Sequence, residues 1–173
     1  MTTGRSHLVL GGARSGKTRH AMTCAKIQPE RIYLATAEAW DDEMRARIQQ
    51  HQKERDATWS TVEEPLEICR VLKQIDRPKC AIVVDCLTLW LNNLMAADRD
   101  IDGATDDVVA AVAQAASDII FVSNEVGLGI VPENALARHF RDAQGRLNQR
   151  IAASVDQVDF IAAGLAMTLK PGR

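Results

Sequence analysis

Gly11-Gly12-Ala13-Arg14-Ser15-Gly16-Lys17-Thr18 follows the apolar run Leu8-Val9-Leu10 and precedes a helical stretch over residues 19–26. The eight residues fit G-x-x-x-x-G-K-[ST], the phosphate-binding loop. Its glycines let successive backbone N–H groups turn toward one anion, and the following helix presents the positive end of its dipole to the same point. In that geometry Lys17 reaches the β- and γ-phosphates while the Thr18 hydroxyl ligates Mg²⁺. A glycine-rich turn with an incidental lysine is the competing reading. The apolar run on one side and the helix on the other favour the phosphate loop, so a nucleoside triphosphate is the first expectation.

Outward from this unit, strands and helices alternate. Arg31-Ile32-Tyr33-Leu34-Ala35 reads as a second strand followed by a loop at Thr36-Ala37. Residues 41–55 carry acidic side chains first and basic ones later, the order that suits a helix dipole. Residues 58–62 read as a strand, and Pro65 opens a helix to about Ile75. Cys80-Ala81-Ile82-Val83-Val84-Asp85 is a continuous apolar run closed by a carboxylate, as in a buried parallel strand. An apolar helix over 87–95, a polar linker over 96–107 and an alanine-rich helix over 104–117 lead abruptly to a strand at 119–123. The loop 124–132 precedes a long helix over 134–154 with an apolar stripe of Leu136, Phe140, Ala143, Leu147 and Ile151. Strands at 158–162 and 165–169 around Gly164 suggest an edge hairpin. The order predicts an α/β fold with a mainly parallel sheet and helices on both faces. Ligands of such sheets bind beyond the carboxyl ends of the strands. That rule gathers the phosphate loop, Thr36, Asp85 and residues 123–129 on one rim.

At 173 residues, 46% hydrophobic and 25% charged, the chain suits one domain over 1–173 with a substantial core. A formal net charge of −2 gives no general attraction to nucleic acid or anionic membrane. No apolar run approaches the roughly 20 residues of a membrane span and no secretion leader is evident, so a cytoplasmic protein is expected. Cys24, Cys69, Cys80 and Cys86 show no C-x-x-C pairing and read as reduced, buried thiols. His7, His20 and His139 read as surface or packing residues without a recognisable partner.

Asp85 ends its strand where phosphate-loop enzymes place a second Mg²⁺ carboxylate, the alternative being a helix cap. Arg47, His51 and Arg55 are spaced i, i+4 and i+8 and share one helix face. Flanking guanidiniums disfavour an imidazolium, leaving a neutral nucleophile with cations to hold a phosphate before it. A solvated basic face with an incidental histidine is the competing reading. Glu63 and Glu64 either meet a nucleotide base or ribose or cap a helix. Glu125 is a candidate base or Mg²⁺ partner, and Gly127 and Gly129 supply turn conformations.

Five segments in order carry a resemblance: the phosphate loop; Asp41-Asp42-Glu43-Met44 with Arg47-Ile48-Gln49-Gln50-His51; Val84-Asp85-Cys86-Leu87-Thr88; residues 123–134 from Ser123-Asn124-Glu125-Val126-Gly127 onward; and residues 137–149, including Arg138-His139-Phe140-Arg141 and Gly145-Arg146-Leu147-Asn148. Together they resemble the bifunctional adenosylcobinamide kinase and adenosylcobinamide-phosphate guanylyltransferase of cobalamin biosynthesis, across nearly the whole chain. The resemblance implies a RecA-like phosphate-loop fold. It also implies two reactions: phosphorylation of adenosylcobinamide by ATP or GTP, then transfer of GMP from GTP through a guanylyl-histidine to adenosylcobinamide phosphate. The nucleophile falls on His51, with Lys17 as the other catalytic residue. The nucleotide site falls on the phosphate loop, Ala35, Thr36, Ala37, Gln52, Lys53, Glu54, Arg55, Glu63 and Asp85, with Thr18 and Asp85 on Mg²⁺. A corrinoid substrate and a homotrimer are also implied. Where members often carry two adjacent histidines this chain has Gln50-His51, where many have serine it has Ala37, and the segment between Ala96 and Ile119 is short. A kinase lacking the covalent step is one alternative. A nucleotide switch is another, although the asparagine-lysine-x-aspartate sequence that reads guanine in such proteins is absent.

Overall fold

The structure is a computed structural model that describes residues 4–37 and 57–172. Among the described residues seven strands form one sheet in the order β3-β2-β4-β5-β1-β6-β7. They are β1 (Ser6–Gly11), β2 (Glu30–Ala35), β3 (Trp59–Glu63), β4 (Cys80–Asp85), β5 (Asp118–Asn124), β6 (Gln157–Ala162) and β7 (Leu165–Lys170). All neighbours pair in parallel except β6 with β7, which close the sheet edge as the expected hairpin. The helices among the described residues are α1 (Lys17–Ala25), α2 (Ile68–Ile75), α3 (Leu87–Ala96), α4 (Ile101–Gln114) and α5 (Ala135–Ser154).

Strand alternation divides the core in two, because successive side chains point to opposite faces. Leu8, Leu10, Ile82, Val84, Ile119 and Phe121 face a large cluster with Leu72 of α2, Trp90 and Leu91 of α3, Val108 of α4 and Leu147 and Ile151 of α5. Val9, Val83, Ile120 and Val122 face a smaller cluster completed by Ala21 and Ala25 of α1. The small alanines let α1 lie close to the sheet.

Three boundaries differ from the sequence reading. The stretch 96–107 is not a linker throughout, because α4 begins at Ile101 with Asp100 as its cap, accepting from Gly103 N at 3.1 Å. The acidic residues that looked like solvated linker are a helix N-terminus, where negative charge is favourable. Helix α2 starts at Ile68 rather than at Pro65; Glu64 accepts from the amides of Leu66 and Glu67 at 3.0 and 2.9 Å and holds a turn first. The stripe of α5 begins later than predicted, since Leu136 is exposed while Ala143, Leu147 and Ile151 are buried.

The abrupt passage from α4 to β5 has a local cause. Asp76 accepts from the amides of Ala116 and Ser117, and Ser117 Oγ donates to Arg77 O while accepting from Arg77 N. Burial pushes the Asp76 carboxyl up, but those amide hydrogen bonds outweigh it and hold it below the usual carboxylate range. The four cysteines are free, Cys80 and Cys86 buried and Cys24 and Cys69 only half-buried. His7 and His20, read as partnerless, both contact Asp159. The partner lies about 140 to 150 positions away in sequence, out of reach of local pattern. No described helix is long and apolar enough to cross a membrane.

Candidate active site

The loop after β1 is built by backbone that few side chains tolerate. Gly16 has φ +100° and Arg14 φ +55°. A Cβ at Gly11 would lie 2.4 Å from Ile161 O, so the strand end passes against β6 with no room for a side chain. Ser15 N donates to Gly12 O at 3.3 Å and His20 N to Gly16 O at 3.0 Å, joining loop to helix. The β6–β7 turn braces it from outside, Gly164 N donating to Ser15 O at 2.9 Å. On the other flank Glu125 N donates to Gly11 O at 3.0 Å, which brings the loop after β5 to the same rim.

Lys17 is buried and its Nζ donates to Gly12 O at 2.6 Å, so the ammonium lies within the loop. Thr18 Oγ1, in the first turn of α1, donates to Asp85 Oδ2 at the end of β4 at 2.7 Å. Tyr33 OH, from β2, donates to the same oxygen at 2.7 Å. This gathers two hydroxyls on one carboxylate, one of them on the residue next to the lysine. Ser15 Oγ is buried with no hydrogen-bond partner among the described residues, a polar atom whose cost an anion in the loop would relieve. Hard oxygen donors at Thr18 and Asp85 fit Mg²⁺, which keeps several waters and takes one or two protein oxygens beside phosphate.

The rim around Asp85 is cross-braced. Thr36 is fully buried; its Oγ1 donates to Cys86 O at 2.7 Å and accepts from Cys86 N at 2.8 Å. Asn93 Nδ2 donates to Thr36 O at 2.8 Å and to Pro65 O at 3.1 Å. The side chain of Thr36 therefore fixes the ends of β2 and β4 to each other, with Ala35 and Ala37 half-buried on either side. Burial and then the charge of Asp85 push the Cys86 thiol up to about 12, which leaves it neutral and unreactive.

Glu63 is exposed at the end of β3, on the same rim but four strand positions from β1. At about 4.8 Å per strand that is roughly 19 Å, so it belongs to the far end of any ligand that starts in the loop. Glu64 bonds locally, as described above. Glu125 Oε1 accepts from Gly127 N within its own loop. Arg47, His51, Gln52, Lys53, Glu54 and Arg55 lie outside the described residues.

Sequence reasoning assigned no role to Tyr33, Thr88, Gln144 or Asn148. Ser123 Oγ donates to Asn148 Oδ1 at 2.7 Å, Gln144 Nε2 donates to both, and Asn148 Nδ2 donates to Asn124 O at 3.1 Å. Thr88 Oγ1 accepts from Asn124 N at 2.8 Å. This network anchors the loop after β5 to α3 and α5. The available signal was two amides spaced i, i+4 on the helix stripe beside Leu147, where purely apolar packing would exclude them.

The family profile for cobinamide kinase / cobinamide phosphate guanyltransferase matches residues 7–169. The bifunctional adenosylcobalamin biosynthesis protein CobP of Pseudomonas aeruginosa is 43% identical over 166 residues, covering 94% of this chain and 96% of the relative. The protein CobU of Salmonella typhimurium, of the same description, is 40% identical over 178 residues, covering 94% and 98%. Among solved structures, an ATPase from the type III secretion system of pathogenic bacteria superposes with TM-score 0.58 at 9% identity, over 96% of this chain and 57% of its own. A protein of Pyrococcus horikoshii superposes with TM-score 0.52 at 11% identity, over 100% of this chain and 89% of its own. The chain spans little more than half of the secretion ATPase, and the likeness to both structures is one of fold.

Proposed function

The chain belongs to the cobinamide kinase / cobinamide phosphate guanyltransferase family, and from that premise we propose how its residues divide the two reactions. The observation that carries the reading is the meeting of Lys17, Thr18 and Asp85 at one rim, with Thr18 Oγ1 2.7 Å from Asp85 Oδ2. In the kinase reaction the phosphate loop holds a nucleoside triphosphate, ATP or GTP. Lys17 neutralises charge on the β- and γ-phosphates as the hydroxyl of the corrinoid attacks the γ-phosphorus and the nucleoside diphosphate leaves. Mg²⁺ bound through Thr18 and Asp85 supplies further neutralisation of the phosphate oxygens.

In the second reaction a ring nitrogen of His51 attacks the α-phosphorus of GTP. The bond to the bridging oxygen breaks and pyrophosphate leaves. A phosphate oxygen of adenosylcobinamide phosphate then attacks the same phosphorus, the P–N bond breaks, and the imidazole is restored. Arg47 and Arg55, four residues to either side, disfavour the imidazolium and keep a ring lone pair available. Gln52, Lys53, Glu54 and Glu63 complete the nucleotide site. Support for these assignments is the match of sequence segments and the chemistry each residue type offers.

The one-domain enzyme works in the cytoplasm as a homotrimer. Leu165, Met167 and Leu169 form an exposed apolar row on the edge strand β7, a surface that association would cover. The test of the second reaction is incubation with Mg²⁺ and GTP labelled at the α-phosphate, followed by denaturing separation. Acid-labile, base-stable label on the parent and none on His51→Ala is expected, with kinase activity retained in the variant. An unlabelled parent that still binds GTP would overturn the covalent step.

A further inference from the structure

Behind the phosphate loop, β1, α1 and β6 bring His7, His20 and Asp159 to one point. Asp159 and His7 are 3% and 7% exposed, and the His20 side chain is 28% exposed. His7 Nε2 and His20 Nε2 lie 2.9 and 3.1 Å from Asp159 Oδ2, and the three ligating atoms all fall within 4.8 Å of one another. The other carboxylate oxygen is held by Thr168 Oγ1 at 2.8 Å, and Gln157 Nε2 reaches Oδ2 at 3.0 Å. Cys24, one turn after His20, places Sγ 3.6 Å from His20 Nε2.

Oδ2 faces more nitrogen groups than it has lone pairs. Three nitrogen groups converge on one oxygen while the second oxygen takes a single hydroxyl. Two imidazole nitrogens converging on a buried carboxylate oxygen offer the donor set of a metal centre. Zn–N and Zn–O bonds of about 2.0–2.1 Å put tetrahedral ligands about 3.3–3.4 Å apart, within a few tenths of an ångström of the separations from Asp159. Thr168 and Gln157 supply the orienting hydrogen bonds that ligating carboxylates have.

We propose that His7 Nε2, His20 Nε2 and Asp159 Oδ2 bind one divalent cation of the zinc class, tying β1, α1 and β6 together behind the phosphate loop. On binding, each ring carries its proton on Nδ1 and turns the Nε2 lone pair to the metal. Two imidazoles with a thiol nearby select a borderline cation over Mg²⁺, whose oxygen ligands lie at Thr18 and Asp85. The site is independent of the nucleotide chemistry proposed above.

The full chain, stripped with chelator, is titrated with Co²⁺ and then Zn²⁺ while visible absorption, retained metal and thermal midpoint are followed. One equivalent of Co²⁺ with d–d bands, displaced by Zn²⁺ but not by excess Mg²⁺, is expected. Zn²⁺ should raise the midpoint of the parent. Asp159→Asn and His20→Gln should weaken affinity at least about tenfold with unchanged circular dichroism, whereas His51→Ala should keep the bands. His20→Gln, at the more exposed position, carries the test if Asp159→Asn does not fold. No retained metal in the parent, undiminished binding in His20→Gln, or bands lost only in His51→Ala would overturn the site.

Discussion

Lys17 Nζ sits on Gly12 O, so the ammonium is already desolvated and aimed within the loop before it is asked to stabilise a transferring phosphoryl group. Removing such a preorganised charge costs about 10²–10³ in turnover where single donors have been deleted from comparable sites. Lys17→Ala should lower kcat of the kinase reaction by that order while leaving the circular dichroism spectrum unchanged; a loss below tenfold would show that the lysine is peripheral. Asp85 accepts from both Thr18 and Tyr33. Asp85→Asn should therefore raise the Mg²⁺ concentration needed for half-maximal activity, read from a Mg²⁺ titration at saturating nucleotide.

At the scale of elements, the loop after β5 depends on amides buried under it. Asn148→Ala removes the acceptor of Ser123 Oγ and the donor to Asn124 O. Leaving buried polar groups unpaired costs about 1–3 kcal/mol, so the urea midpoint should fall by a corresponding amount. Asp100→Ala removes the cap of α4 and should cost about 1 kcal/mol, with no change in kinase turnover because α4 packs on the far side of the core cluster from α1. These two helices show where local pattern sufficed and where it failed. The alanine-rich body of α4 was readable, but its first turn resembled a linker, since acidic residues serve equally in solvated loops and in helix N-termini. The stripe of α5 was readable from Ala143 onward. Leu136 fitted the same period and is exposed, because periodicity reports which face a residue is on and not how far the neighbouring core extends.

At the scale of the whole molecule, folding brings carboxylates onto amides and so makes stability depend on pH. Asp76 and Glu64 are each pushed up by burial, and each is carried below its ordinary value by backbone amide hydrogen bonds. With depressed folded values, the unfolded chain binds more protons in acid. The stabilisation is thus present above the ordinary carboxylate range near pH 4 and lost as pH falls through the folded values. Thermal midpoints measured from pH 7 down to pH 3 should decline, and Asp76→Asn should decline less steeply than the parent.

What the sequence by itself determined is local or strictly periodic. The phosphate loop needs glycines at Gly11 and Gly16, a lysine and a hydroxyl within eight residues, and the buried strands β1, β4 and β5 need uninterrupted apolar runs. The order of strand, loop and helix then implied a parallel sheet and one functional rim. Tertiary structure alone decided which distant groups meet: Tyr33 and Thr18 on Asp85, Thr36 on Cys86, Gln144 and Asn148 on Ser123, His7 and His20 on Asp159. Such pairs follow from strand order and from how closely the alanines of α1 let it approach the sheet. Neither is encoded in the spacing of the residues that finally touch.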